Sequence, residues 1–334
     1  VDGKRNRFVG IAPQLCKELD MNAWHFTGTH KPFEKVEVDT PTAGPGQILI
    51  QTKAAGLCHS DVGILEDEKW LDIMDLPAIP GHEIAGVVAA VGDENTGYQV
   101  GDRVCVWPIG TAGKAYGYSR GGGWGEYVVA DIEDVLPIPE GVSFELAAAA
   151  TDAGMTSYGA VMEAGKMRKG EKVGIIGFGG LGQIGARVAV LEGAEVYVAE
   201  VNEAVWDAAY AAGATKVVKD VRELAEFGLS LIVDFAGFGT TTAGAIEAVG
   251  YEGRVVQIGM GRLEATIDTY PLIMKHVTLS GNTGGSKNAI ASVLKYIASG
   301  DLSPSIEYTD FDGIAEGIDR LHDGKVRGRL VAMY

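Results

Sequence analysis

Cysteine is scarce in this chain: three occur in 334 residues, Cys16, Cys58 and Cys105. They are too few and too scattered for a disulfide framework, so a reducing, cytoplasmic compartment is the default expectation. Long apolar runs are missing as well, since none approaches the ~18 residues a membrane-spanning helix needs. Positive charge is in deficit, with 28 Lys and Arg against 45 Asp and Glu and a net charge of -17. Nucleic-acid binders present basic patches, and anionic membranes attract basic segments; neither partner is expected, and the acidity reads as a solvated surface. Internal repeats and low-complexity tracts are absent. Residues 1–20 open with Lys4, Arg5 and Arg7 around Asn6 and then offer only a short apolar patch from Phe8 to Ala12. That is a poor secretory signal, and the segment reads as an extension ahead of Met21.

What is present suffices for a large core. Hydrophobic residues make up 46% of the chain, and the length suggests two domains. From Met21 to about Leu136 the pattern is mostly β, with strands expected over 47–53, 83–91 and 101–107 and a glycine-rich loop over 109–125. Ser143 is placed to cap a helix running through Glu145 and the alanines at 147–150. From Lys172 onward, strands over 173–176, 196–199, 230–234 and 254–258 alternate with helices over 181–191 and 204–212. This βαβ alternation predicts an α/β fold with a doubly wound parallel sheet. Helices over 287–299 and 313–321 and a closing strand over 329–333 complete the chain.

Gly177, Gly179 and Gly182 fit GxGxxG, with Gly180 and Leu181 completing the loop. The loop follows a predicted strand and opens a helix, which is the setting that gives this motif meaning. The first glycine permits the tight turn, the second lets a pyrophosphate approach the backbone, and the third lets helix and sheet pack closely; the helix N-terminus then faces the phosphates. Glu200 ends the next strand. An acid there accepts hydrogen bonds from ribose hydroxyls and repels a 2′-phosphate, which favours NAD. Its bland alternative is a solvated strand end.

Cys58, His82 and Asp152 form a plausible three-ligand zinc set, with the open fourth position of a catalytic rather than a structural site. Taken singly, each has an ordinary reading: a buried cysteine, a satisfied core histidine, a helix-proximal acid. On residue types alone both readings stay open. Asp61 is placed to accept the free N–H of His82 and fix its tautomer, and Glu83 adds negative charge beside it. A Lewis-acid metal next to a nicotinamide points to hydride transfer between an alcohol and a carbonyl.

The segments Ala54-Ala-Gly-Leu-Cys58-His-Ser-Asp61, Leu76-Pro-Ala-Ile-Pro-Gly-His82-Glu-Ile-Ala-Gly86 and Gly101-Asp-Arg-Val104, followed by the glycine loop, resemble the zinc-dependent alcohol dehydrogenases of the medium-chain dehydrogenase/reductase superfamily. The resemblance runs in order from Met21 to Tyr334. It implies a GroES-like β-rich catalytic domain over 21–153 and 285–334, split around a Rossmann NAD-binding domain over 154–284, with the substrate in the cleft between them. It further implies that Cys58, His82 and Asp152 hold the zinc. Ser60 matches the hydroxyl that relays the substrate proton, with Asp61 and Glu83 beside it in the catalytic group. His59 and Arg329 match positions that contact the pyrophosphate, Thr156 one beside the nicotinamide, and Ile258 and Asn282 backbone positions that hold the carboxamide. Many members carry Cys where this chain has Asp152; secondary-alcohol dehydrogenases of the family often carry Asp.

Two departures stand out. Gly63 sits where some members have a second relay histidine. The four-cysteine structural zinc lobe is missing, because the stretch from Trp107 to Trp124 contains no cysteine. One zinc per chain is therefore expected, with the loop held by packing and turns through Tyr116, Tyr118 and Trp124. The reading is an NAD-dependent zinc alcohol dehydrogenase, homo-oligomeric as a dimer or tetramer. Its expected substrates are small to medium apolar alcohols and their carbonyl partners, secondary alcohols and ketones included, and Trp107 is expected near the cleft. The rivals are a polyol dehydrogenase on the same fold, a non-catalytic nucleotide-binding relative, and a zinc-free quinone or enone reductase.

Overall fold

The structure is a computed structural model that describes residues 20–93 and 97–334. Cys16 and the extension before Asp20 lie outside the described residues. No described helix is long and apolar enough to cross a membrane.

The chain opens with a two-stranded antiparallel ribbon, β1 (Asp20–His25) and β2 (Glu34–Asp39). A seven-stranded sheet follows, built from β3 (Gln47–Leu57), β4 (Glu83–Val91), β5 (Arg103–Val106), β6 (Tyr127–Asp131) and β7 (Val135–Pro137). The chain then forms β8 (Lys172–Ile176), β9 (Glu195–Ala199), β10 (Ala214–Val218), β11 (Leu231–Asp234), β12 (Arg254–Gln257) and β13 (Thr278–Gly281). These six lie in the order β10-β9-β8-β11-β12-β13, all parallel. Finally β14 (Ile306–Asp310) and β15 (Arg329–Met333) return to the first sheet, where β15 pairs antiparallel with β3. The first sheet is thus assembled from two stretches of chain that enclose the parallel sheet between them in sequence.

The parallel strands are apolar runs because both of their faces are covered. Val173, Ile175, Leu231, Ile232, Val233, Val255 and Val256 are fully buried. A third layer joins the two sheets: helices over Lys287–Ala298 and Gly182–Leu191 pack with the alanine-rich stretch after Phe144 in one core cluster. That stretch does not end near residue 150 as the alanines suggested. It continues through two π-helical turns, Ala150–Gly154 and Gly159–Ala164, with a short α segment, Met155–Tyr158, between them. Asp152 therefore sits inside a π turn rather than after a helix. Ser143 stands at the N-cap position, but its hydroxyl makes no capping bond and is buried without a partner, so the helix start is not held by it.

The glycine loop behaves as its spacing requires. Gly177 adopts φ +82°, a backbone state closed to most side chains. A Cβ on Gly182 would overlap the Gly177 carbonyl oxygen, whereas one on Gly179 would meet no protein atom. The second glycine thus faces open space and the third sits where turn and helix touch. Gly182→Ala is expected to lower stability by ~1–3 kcal/mol through overpacking, read as a shift of the urea midpoint at unchanged slope. A wild-type midpoint would show that the turn tolerates a side chain.

Candidate active site

Five segments converge on one point. Cys58 follows β3, His82 and Glu83 open β4, Asp152 comes from the first π turn, Arg329 opens β15, and Tyr118 comes from the glycine-rich loop. Local backbone explains the placement of the first three. Gly81 has φ +87°, and a Cβ there would overlap the indole of Trp124. Trp124 is fully buried and packs edge-on against Phe33 at 5.0 Å. The Gly81 turn and the indole together fix the entry of His82 into β4. A Cβ on Gly56 would overlap the Glu83 carboxylate, so the absent side chain two residues before Cys58 is what lets Glu83 lie beneath it.

One donor atom from each of Cys58, His82, Glu83 and Asp152 lies within 4.8 Å of every other. Cys58 Sγ and His82 Nε2 are each 3.5 Å from Asp152 Oδ2. Bonds of ~2.0–2.3 Å to a tetrahedral zinc place its ligands roughly 3.3–3.8 Å apart. The thiol, imidazole and carboxylate therefore have both the chemistry and the spacing for zinc. His82 Nδ1 faces Asp61 Oδ1 at 3.5 Å, and Asp61 Oδ2 also accepts the Cys58 N–H at 2.8 Å. Burial on its own would lower the pKa of His82, but Tyr118, Asp61 and Asp152 together hold it well above its ordinary value. Burial likewise works against ionising Asp152, yet His82, Thr156 and Cys58 keep its carboxyl below the usual range. Thr156 Oγ1 donates to Asp152 Oδ1 at 2.9 Å.

Arg329 is 3% exposed. Its guanidinium forks onto Glu83, with Nε 3.0 Å from Oε2 and Nη2 on Oε1, and Nη2 also reaches Asp152 Oδ2 at 2.7 Å. A Cβ on Gly180 would come within 3.9 Å of Arg329 Cδ, so the side chain passes the glycine loop while its charged end turns toward the two carboxylates. Its pairing with Asp152 was not readable from the chain. His59 opens the helix His59–Glu66 and is exposed.

Around the parallel sheet, Glu200 accepts from the Phe178 N–H at 2.6 Å and the Asn202 N–H at 2.7 Å. It thus stands against the glycine loop at the end of β9. The Ile258 N–H goes to the Asp234 carbonyl and the Asn282 N–H to the Gln257 carbonyl, so a carboxamide could meet these positions only through their own carbonyls. Trp107 donates Nε1 to the Gly285 carbonyl at 2.9 Å, tying the glycine-rich loop's start to the turn before the helix Lys287–Ala298.

Two features of the site carry no sequence signal. Tyr118 Oη donates to Ser60 Oγ at 3.1 Å and lies 3.5 Å from His82 Nδ1. Trp70 stacks on the Tyr118 ring at 6.0 Å and 15°, and a Cβ on Gly63 would lie 2.8 Å from Trp70 Nε1. The indole takes the space that a side chain at position 63 would need. In the loop from Trp107 to Trp124 a charged cluster is the anchor. Arg120 bonds Asp131 at 2.6 Å, lies 3.5 Å from Asp134 and covers the Tyr116 ring at 4.5 Å. Tyr116 Oη donates to Asp134 at 3.0 Å and accepts from the Asp131 N–H.

Comparison with known proteins identifies the family. Residues 44–140 match the alcohol dehydrogenase GroES-like domain and residues 180–299 the zinc-binding dehydrogenase domain. An alcohol dehydrogenase of Geobacillus stearothermophilus is 30% identical, over 90% of this chain and 96% of its own. An NADP-dependent alcohol dehydrogenase C of Mycolicibacterium smegmatis is 29% identical, over 93% and 97%. Among solved structures, an acetophenone reductase of Geotrichum candidum in complex with NAD superposes with a TM-score of 0.84 at 26% identity, over 94% of this chain and 97% of its own. The alcohol dehydrogenase of Aeropyrum pernix gives 0.85 at 26%, over 94% and 100%.

Proposed function

The chain belongs to the zinc-type medium-chain alcohol dehydrogenases, and from that premise we propose that it is an NAD-dependent enzyme whose single catalytic zinc is held by Cys58, His82 and Asp152. That it is a zinc-binding alcohol oxidoreductase follows from the family; the cofactor, the ligand set and the substrate range are the proposal. The observation that carries it is the convergence of a thiol, an imidazole and a carboxylate with 3.5 Å separations from Asp152. When bound there, zinc supplies Lewis acidity toward the substrate oxygen and the nicotinamide accepts or returns the hydride. The chain's own residues do the remaining work. Ser60, two residues from Cys58, passes the proton of the substrate oxygen on toward solvent in oxidation and returns one from solvent in reduction. Asp61 holds His82 in the tautomer that leaves Nε2 free. Arg329 offsets one of the two negative charges of Glu83 and Asp152. Gly177 to Gly182 and the helix after them receive the pyrophosphate, Glu200 the ribose hydroxyls, and the carbonyls at 258 and 282 the carboxamide. The expected substrates are small to medium apolar alcohols, secondary ones included, rather than polyols; the Asp152 position, which the secondary-alcohol dehydrogenases of the family often fill with Asp, supports this reading.

Asp152→Ala is expected to lose zinc and turnover together, while the unaltered protein after desalting holds about one equivalent per chain, the count of a three-ligand site. Full zinc in the variant would remove Asp152 from the ligand set, and two equivalents in the parent would reveal a second site.

Cofactor choice follows from charge. Glu200 would face the extra phosphate of NADP, and unit charges ~4 Å apart repel by ~1–4 kcal/mol near a protein surface. With a panel of secondary alcohols, ketones and polyols read by reduced-cofactor absorbance, kcat/KM is expected to favour NAD by at least about tenfold and apolar substrates over polyols. A preference for NADP would reject the Glu200 reading.

Assembly into homo-oligomers has support at one edge of the parallel sheet. Among the described residues β13 is paired on one side only, and Tyr270, Ile273 and Met274 in the helix before it are 57–70% exposed. An open strand edge beside an apolar strip suits pairing with a second copy. Light scattering is expected to give a multiple of the single-chain mass; a monomer at micromolar concentration would count against it.

A further inference from the structure

We propose that Tyr118 is a positioning residue for the reaction: it sets the direction in which the Ser60 hydroxyl presents its hydrogen to the substrate oxygen. The inference rests on the reading of Ser60 as the group that exchanges the substrate proton. A serine hydroxyl rotates to suit whatever surrounds it. Here one neighbour is fixed. Tyr118 Oη lies 3.1 Å from Ser60 Oγ, and its ring is buried, stacked on Trp70 and tilted against the His82 ring at 5.5 Å.

The sense of the hydrogen bonds follows from His82. Its Nε2 points toward Asp152 and its Nδ1 toward Asp61 and Tyr118, each at 3.5 Å. With Nε2 serving as a ligand, Nδ1 carries the ring proton. Nδ1 can then only donate, and it has no lone pair for the phenol hydrogen. That hydrogen goes to Ser60 Oγ. With one lone pair taken, Ser60 turns its own hydrogen away from Tyr118. Position 63, the other direction, lacks a polar side chain and is closed by the Trp70 indole. With those two directions taken, we assign the Ser60 hydrogen to the substrate oxygen, beside Cys58 two residues away in the chain. His82 thus closes one direction to the phenol hydrogen, and Tyr118 and Ser60 form one oriented pair that ends at the reacting oxygen.

The test uses the zinc-loaded enzyme with Tyr118→Phe, Ser60→Ala and the pair. Phenylalanine keeps the ring on Trp70 and removes only the hydroxyl. Two quantities are read besides zinc content. One is the split between kcat and the cofactor KM in oxidation of a secondary alcohol. The other is the affinity of the NADH complex for isobutyramide, whose carbonyl oxygen accepts as a ketone's does but takes no hydride, followed by NADH fluorescence. Tyr118→Phe is expected to lower kcat and weaken isobutyramide about three- to tenfold, the worth of one aligned hydrogen bond, with zinc and cofactor KM unchanged. In the Ser60→Ala background it is expected to add nothing. Undiminished kcat and isobutyramide affinity in Tyr118→Phe, or an equal loss in both backgrounds, would overturn the proposal while leaving Ser60 in its role. Undiminished turnover in Ser60→Ala would instead strike the Ser60 reading, and the proposal with it.

Discussion

The site depends on one buried cation between a buried carboxylate and a half-buried one. Arg329 forks onto Glu83 and reaches Asp152 at 2.7 Å. Ionised groups withdrawn from water cost several kcal/mol each unless they are paired and fully hydrogen-bonded, and a guanidinium meets two carboxylates with donors to spare. The three side chains come from β15, β4 and the first π turn, so this pairing ties the returning C-terminal strand, the first sheet and the interdomain helix together. Taking away Arg329 would leave both carboxylates without their cation, a loss of typically ~3–5 kcal/mol for a broken buried pair. Glu83 in turn fills the space above Gly56, and Asp152 is turned by Thr156 toward Cys58 and His82.

The helix that carries Asp152 and Thr156 belongs to both halves of the molecule. Its alanines let it pack closely on the helices Gly182–Leu191 and Lys287–Ala298, and the core cluster there contains residues of both sheets' surroundings. Two π turns interrupt its ladder, and π turns recur at functional sites because they re-aim a side chain without ending the helix. Here the first turn points the Asp152 carboxylate across the cleft. The same segment therefore fixes the spacing between the glycine loop and the metal donors.

Much of this could be read along the chain, where the signal was local. The glycine loop declares itself because its φ and close-contact demands fall within six residues, and the parallel strands because a strand covered on both faces must be apolar. Cys58 and His82 sit in frames short enough to recognise. Illegible were contacts that span long stretches of sequence: Tyr118 with Ser60, and Arg329 with Asp152 and Glu83. No periodicity encodes a hydrogen bond between residues 58, 177 or 246 positions apart. β13 was missed for a different reason. At four residues, with an exposed pattern and pairing on one side, it shows neither alternation nor an apolar run. Position is also not function: Ser143 stands where a cap belongs, yet its hydroxyl points elsewhere.

The arrangement of the first sheet has a consequence for how the protein is made. β15 lies between β14 and β3, and it is translated after every other element of the site. Until it leaves the ribosome, the 54–57 stretch of β3 has an open edge and Glu83 and Asp152 lack their cation. The parallel sheet, contiguous in sequence, can complete itself earlier. During synthesis the parallel sheet is therefore able to stand while the other sheet waits for β15 to bring the cation that Glu83 and Asp152 share.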